Sequence, residues 1–371
     1  MLIFKRKIED IIVERLYKRR AILIFGPRQA GKTTLAKRIL ERQGNRDAYF
    51  NCELATVRKH FILGEPNSLL SLVGNAKLVV FDEAQTIENI GPILKTFIDT
   101  YPEVQIIATG SSSFDLANKI NEPLTGRAFE FILLPLSLNE IQSVVPLTEE
   151  RVLELLRLGC YPSVVAETSK STREDILRNI ATNYLYKDIF IFESVRNPKL
   201  IEDLLRALAL QVGSTVSINE LAILLGVSRA TIQKYLSLLE QSYVVFRLPS
   251  FSRNPRNEIK KAFKVYFYDV GIRNALIDNI DELTGRNDRG PLLENLFITE
   301  RLKLGLQSTL PPRLSFWRTK KGAEIDLIEE IGDTLRAYEC KWKDGDTSFS
   351  LFRKKYSTVE THLITLATLI R

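Results

Sequence analysis

Gly26, Gly31, Lys32 and Thr33 stand in the spacing G-x-x-x-x-G-K-[ST] within AILIFGPRQAGKTT, residues 21–34. The spacing has a physical meaning when an apolar strand precedes it and a helix follows. Glycines let the backbone wrap close to phosphate oxygens, so that successive N–H groups point inward as an anion nest. The N-terminus of a helix starting near Lys32 adds its partial positive charge. Lys32 can reach the β- and γ-phosphates, the Thr33 hydroxyl can hold Mg²⁺, and Thr34 places a further hydroxyl at the helix start. These residues imply binding of a nucleoside triphosphate, with ATP and Mg²⁺ as the expected ligands.

A second constellation follows in KLVVFDEAQ, residues 77–85. Leu78 to Phe81 read as a buried parallel strand, an uninterrupted apolar run. It delivers Asp82 and Glu83 at its C-terminal end, where ligands of open α/β sheets sit. Asp82 is placed to hold Mg²⁺ through water, and Glu83 to orient or deprotonate the attacking water. A third run, VQIIAT at 104–109, ends in Gly110-Ser111-Ser112-Ser113. Those hydroxyls can hydrogen-bond the γ-phosphate or the lytic water, or equally cap a helix N-terminus. Arg127, before the apolar run 128–134, is either a finger acting in trans across a subunit interface or a solvated side chain.

The last hundred residues carry another set. Glu294 lies in a helical stretch, Asp326 in AEIDLIEE and Glu339-x-Lys341 in RAYECKW. Alternation along a strand puts Glu339 and Lys341 on one face. Three carboxylates with a lysine suit metal-assisted phosphodiester cleavage, and E-x-K alternation is equally an ordinary solvent face.

The elements that must position these residues follow from periodicity. Strands are expected at about 21–25, 47–51, 77–82, 104–109 and 128–134 with helical patterns between, which means a parallel sheet with crossover helices. Residues 1–20 read as an amphipathic helix ending in Lys18-Arg19-Arg20. From 148 to 212 the pattern is helical, suiting a lid over the nucleotide. SINELAILLGVSRATIQKYLSLLE at 217–240 has the apolar spacing of a helix-turn-helix, with a turn at Gly226. That leaves Arg229, Gln233 and Lys234 on the outer face of the second helix. The runs 243–248 and 262–269 then make a hairpin whose connection carries Arg253, Arg256, Lys260 and Lys261, a basic wing for phosphate contacts or a surface used for protein contacts.

Composition narrows the classes. A chain of 371 residues is expected to hold about two to four domains. The 45% hydrophobic and 26% charged content describes a soluble globular protein. No apolar run reaches the length of a membrane span and the first residues lack a signal peptide's core, so a cytoplasmic location without membrane partners is expected. Three cysteines and two histidines, all isolated, give neither a disulfide framework nor a zinc site. The net charge of +7 favours a polyanionic partner such as DNA.

GPRQAGKTTL, FDEAQ, ATGSSS, LTGR, PLS…E, GCYP at 159–162 and YLYKDI at 184–189 resemble the prokaryotic AAA+-like P-loop ATPases. KVYFYDVGIRNAL, Leu293-Glu294-Asn295, FWRTKKGAEIDLI and YECKW are similar to the C-terminal half of the same group, a winged helix plus a PD-(D/E)xK nuclease-like domain of unknown function. The resemblance implies an α/β fold: an ASCE-type parallel sheet (1–145), a helical lid (146–212), a winged helix (213–270) and an α+β restriction-endonuclease-like domain (271–371). It implies Mg-ATP at Gly31, Lys32, Thr33, Asp82 and Glu83, a sensor at Ser111 or Ser112, and Arg127 as finger or equivalent sensor. It also places Glu294, Asp326, Glu339 and Lys341 at nuclease-motif positions. The expectation is an ATP hydrolase, homo-oligomeric if Arg127 acts in trans, that couples nucleotide state to DNA. The rivals are a slow nucleotide-gated switch that binds a protein partner and an ATP-regulated DNA nuclease.

Overall fold

Five short apolar runs build the N-terminal sheet: β1 (Ala21–Phe25), β2 (Tyr49–Asn51), β3 (Leu78–Asp82), β4 (Gln105–Gly110) and β5 (Ala128–Ile132). All pair in parallel, in the order β2-β3-β4-β1-β5. Every residue of β1, β3 and β4 is buried, as expected of strands covered on both faces by crossover helices. The computed structural model describes residues 2–44, 48–110, 124–184, 197–252, 262–343, 345, 347–356 and 358–370.

These residues form two compact units. Residues 5–135 with 241–243 make one, and 1–4, 136–240 and 244–371 the other. In the first unit, the order sets β4 between β1 and β3, so the phosphate loop and Asp82 rise at the same end of the sheet from strands separated by a single strand. The N-terminal helix is shorter than expected, Ile8–Arg15. Leu16 turns extended and buried, and the Tyr17 amide donates to the Gln105 side chain at 2.6 Å. Lys18-Arg19-Arg20 therefore lie in a turn, with Tyr17 and Arg19 at positive φ.

The second unit begins with the short helix Leu138–Gln142, followed by helices Glu149–Leu158, Pro162–Ala166 and Lys170–Asn179. The segment expected as a lid shares a core with later elements of its own unit: Val152, Leu155, Leu156 and Val165 pack with Val270, Leu283, Leu292 and Leu296. The joint is tight at Gly159. There a Cβ would fall 1.9 Å from the Asp269 carboxylate, which accepts the Cys160 amide at 2.7 Å and caps the helix Val270–Leu276 through Gly271 and Ile272. GCYP and YDVG, far apart in sequence, are the two sides of this joint.

Helix Pro198–Leu210, strand β6 (Thr215–Val216), helix Ile218–Leu224, helix Arg229–Gln241 and the antiparallel pair β7 (Val245–Pro249) and β8 (Phe263–Phe267) follow in order. β6 adds to β8, giving a three-stranded sheet β6-β8-β7. Ser217 caps the first of the paired helices by accepting the Glu220 amide at 3.3 Å. Helix Arg289–Leu306 leads to antiparallel strands β9 (Arg313–Arg318), β10 (Glu324–Ile331) and β11 (Thr334–Cys340). Helix Phe349–Lys355 then crosses to β12 (Val359–Ile364), which pairs in parallel with β11.

Candidate nucleotide site and a C-terminal acidic centre

The phosphate loop joins β1 to the helix Lys32–Arg42, with Gly31 left-handed at its N-cap. Gly26 is fixed by packing as well as by its φ of +147°. The Leu133 amide donates to the Phe25 carbonyl at 2.7 Å, and a Cβ on Gly26 would lie 2.1 Å from the Leu133 oxygen. The end of β5 thus presses on the loop's first residue. Arg6 secures the loop from below: its guanidinium, 7% exposed, donates to the Ala30 carbonyl at 2.7 Å and the Leu134 carbonyl at 2.5 Å. Nothing in its sequence context marks Arg6, because the signal is a burial that only the fold creates.

Lys32 Nζ donates to the carbonyls of Gly26 and Pro27, each at 2.9 Å. A buried ammonium held on two carbonyls of the loop is a cation that phosphate oxygens would attract outward. Thr33 Oγ1 donates to Asp82 Oδ2 at 2.8 Å, and Thr34 lies exposed beside it. Two further hydroxyls converge on the same carboxylate: Thr109 on Oδ1 and Tyr49 on Oδ2. Neither was singled out from sequence, since Tyr49 comes from β2 and Thr109 from β4, and strand order is invisible in a linear reading. Burial foremost, with the bond to Asp82 and its charge, pushes the Tyr49 phenol up, so it remains a donor. Burial likewise lifts the adjacent Cys52 thiol to about 12 and leaves it unreactive.

Glu83 sits at φ +56°, a left-handed conformation that costs a non-glycine residue energy and is common where function fixes geometry. Its amide donates to Thr109 Oγ1 at 3.2 Å, and its carboxylate accepts from Gln85. Thr109 therefore holds both members of the Asp-Glu pair. The expected sensor Ser111, with Ser112 and Ser113, lies outside the described residues. Arg127 is at the N-terminal end of β5, where its carbonyl accepts the Ala21 amide at 2.8 Å and its guanidinium pairs with Asp99 at 2.8 Å. That is the end of the sheet opposite the phosphate loop, about 16 Å away along a five-residue strand, so within one chain Arg127 does not reach the loop.

In the second unit Arg229, Gln233 and Lys234 are exposed, while Ile232, Tyr235, Leu236 and Leu239 are buried, as the helix-turn-helix spacing requires. Arg253, Arg256, Lys260 and Lys261 fall outside the described residues.

Of the C-terminal set, Asp326 lies on β10 at an irregularity of its pairing with β9, Glu339 lies on β11, and Glu294 lies on helix Arg289–Leu306. Asp326 accepts the Cys340 amide at 2.8 Å, Glu339 accepts the Ser348 amide at 2.5 Å, and Lys341 Nζ stands 3.7 Å from Glu339. Among the described residues no group of three or more Asp, Glu, His or Cys is arranged to hold a metal ion. Lys264 of β8, which opens the run KVYFYDVGIRNAL but is not among the expected site residues, faces these carboxylates instead. Its Nζ pairs with Glu294 at 2.9 Å and with Glu324, and lies 4.0 Å from Asp326. Burial, then Asp326, raises the Glu294 carboxyl to about 7.

Among the described residues no helix is long and apolar enough to cross a membrane. Family comparison divides the chain in three. Residues 18–142 match a family model described as AAA domain; 149–283 and 289–368 match two described as Domain of unknown function, DUF8612 and DUF4143. An uncharacterized protein of Mycobacterium tuberculosis is 30% identical over 347 residues, 92% of this chain and 74% of that one, and a protein of Mycobacterium bovis matches equally. An uncharacterized protein of Methanocaldococcus jannaschii is 26% identical over 328 residues, 82% of this chain and 71% of its own. Among solved structures, AMPPCP-bound DnaA from Aquifex aeolicus aligns with 14% identity and a TM-score of 0.33, covering 63% of this chain and 86% of that one.

Proposed function

The chain belongs to the family of these uncharacterized mycobacterial proteins, with a AAA-type nucleotide-binding ATPase domain at its N-terminus, and we propose that it is a Mg²⁺-dependent ATP hydrolase whose nucleotide state governs DNA engagement. The observation that carries the proposal is the convergence of Thr33, Tyr49 and Thr109 on Asp82 beside the loop that holds Lys32.

The donor set fits a magnesium nucleotide: a hydroxyl and a carboxylate already within hydrogen-bond reach, next to a loop that holds a buried lysine. Thr33 and Asp82 would hold the ion, which when bound neutralises charge between the β- and γ-phosphates. Lys32 leaves the Gly26 and Pro27 carbonyls for phosphate oxygens. Glu83 orients the attacking water and accepts its proton as the γ-phosphoryl group passes from ADP to that water. Thr109, holding both Asp82 and the Glu83 amide, keeps the two carboxylates in register. Arg127 acts in trans, which makes a homo-oligomer part of the proposal.

The order helix, strand, helix, helix, hairpin over 198–267 supports reading residues 213–270 as a winged helix, with Arg229, Gln233 and Lys234 toward DNA phosphates. Helix, three antiparallel strands, helix and a parallel strand support a restriction-endonuclease-like fold for 271–371. One observation favours a second reading, a switch that binds protein: Ile223 and Leu224, on the helix beside Arg229, are 83% and 69% exposed.

Steady-state ATP hydrolysis with Mg²⁺, with and without duplex, single-stranded and branched DNA, tests the proposal, with Lys32→Ala as the blank. Stimulation of several-fold by one DNA form supports it. Turnover indifferent to every form transfers the weight to the protein-binding switch.

A further inference from the structure

Lys264 is the feature that the ATPase account does not use and that ordinary packing does not require. It sits in the middle strand of the β6-β8-β7 sheet, with a side chain only 1% exposed. An isolated buried ammonium is costly, and it persists only where opposite charge surrounds it. Here that charge comes from other elements: Glu294 on a helix, Glu324 and Asp326 on one face of β10. The Phe316 ring covers the ammonium at 5.4 Å. Tyr266, two residues along the same face of β8, donates to Glu294 as well. Burial works against the charged lysine, yet Glu294, Asp326 and Glu324 outweigh it and hold its pKa above the ordinary value.

We propose that Lys264 is the resident cation of the acidic centre, and that its ammonium keeps divalent metal out of the carboxylates that the C-terminal fold gathers. A divalent ion and an ammonium compete for one set of carboxylate oxygens, because like charges at such separations repel strongly where water is scarce. The lysine's backbone is held by a strand paired on both sides, Thr215 and Leu248 opposite Lys264, and its side chain is buried. The inference is independent of the ATPase reading.

Mn²⁺ binding to the full chain without nucleotide, followed through the signal of free Mn²⁺, tests it on the wild type, Asp326→Asn, Lys264→Met and the double variant. Wild type and Asp326→Asn are expected to titrate alike. Lys264→Met is expected to gain one equivalent of Mn²⁺, lost again in the double variant, and Mn²⁺ is expected to raise its melting temperature but not that of the wild type. A wild-type Mn²⁺ site that Asp326→Asn removes would overturn the inference, as would a folded Lys264→Met that gains none. If Lys264→Met does not fold in chelator, refolding with Mn²⁺ decides: recovery supports the inference and continued failure overturns it.

Discussion

Thr33 Oγ1 and Asp82 Oδ2 are 2.8 Å apart although 49 residues separate them in the chain. The pair exists because β4 lies between β1 and β3 and both strands end at the same edge of the sheet. Tyr49 and Thr109 reach the same carboxylate, so Asp82 is oriented by three hydroxyls before any ligand arrives. Preorganisation of this kind makes removal of one supporting group costly.

Thr109→Val keeps the shape of the side chain and deletes the hydroxyl that serves both Asp82 and the Glu83 amide. Loss of about ten- to a hundredfold in kcat is expected, with a smaller change in nucleotide affinity. Steady-state kinetics alongside a fluorescent-nucleotide titration separate the two. An unchanged kcat would remove Thr109 from the site.

Gly26→Ala forces a methyl group to within 2.1 Å of the Leu133 oxygen. A destabilisation of roughly 3 kcal/mol in denaturant titrations is expected. Gly44, also at positive φ but with open space around its Cβ position, is the control: Gly44→Ala is expected to cost only about 1 kcal/mol. Equal costs at the two positions would mean that the contact with Leu133 is relieved easily.

Asp288 supplies a pH dependence. Burial pushes its carboxyl up, but Arg286 and Arg273 outweigh burial and hold it down at about 2 against an ordinary 3.8. A depressed folded-state value stabilises the fold above the ordinary value, and that contribution is lost as pH falls through about 2. Asp288→Asn is therefore expected to lower the urea midpoint at neutral pH, with the gap to wild type closing as pH drops from about 4 to about 2. A gap constant over that range would contradict the assignment.

Arg229→Ala with Lys234→Ala is expected to weaken DNA binding about equally for all sequences. The slope of log affinity against log salt should flatten by about one for each phosphate that is no longer neutralised. Ile223→Ser with Leu224→Ser, on the neighbouring helix, should leave that slope alone. If the apolar pair matters and the basic pair does not, the surface belongs to a protein partner.

Local signals in the sequence survived folding where the chemistry is contiguous. The phosphate loop, the apolar runs of the parallel sheet and the paired helices at 218–241 lie where spacing puts them. Contributions made across the chain were illegible. Arg6 reaches Ala30, and Lys264 reaches Glu294, only once distant elements pack, and a buried arginine or lysine reads in sequence as a solvated one. β12 went unread because Val359–Ile364 alternates around a half-exposed edge and has no apolar run. The reason for glycine at 159 was hidden for the same cause: the carboxylate that fills the space belongs to Asp269.

Coupling between nucleotide and DNA is the central claim, and Glu83→Gln isolates it by binding ATP without turning it over. DNA affinity of this variant, measured by fluorescence anisotropy at fixed salt with saturating Mg-ATP and then with Mg-ADP, is the most direct measurement. The account predicts affinities that differ several-fold between the two states, with Lys32→Ala showing no difference. Equal affinities in ATP and ADP, with DNA bound in both, would contradict it.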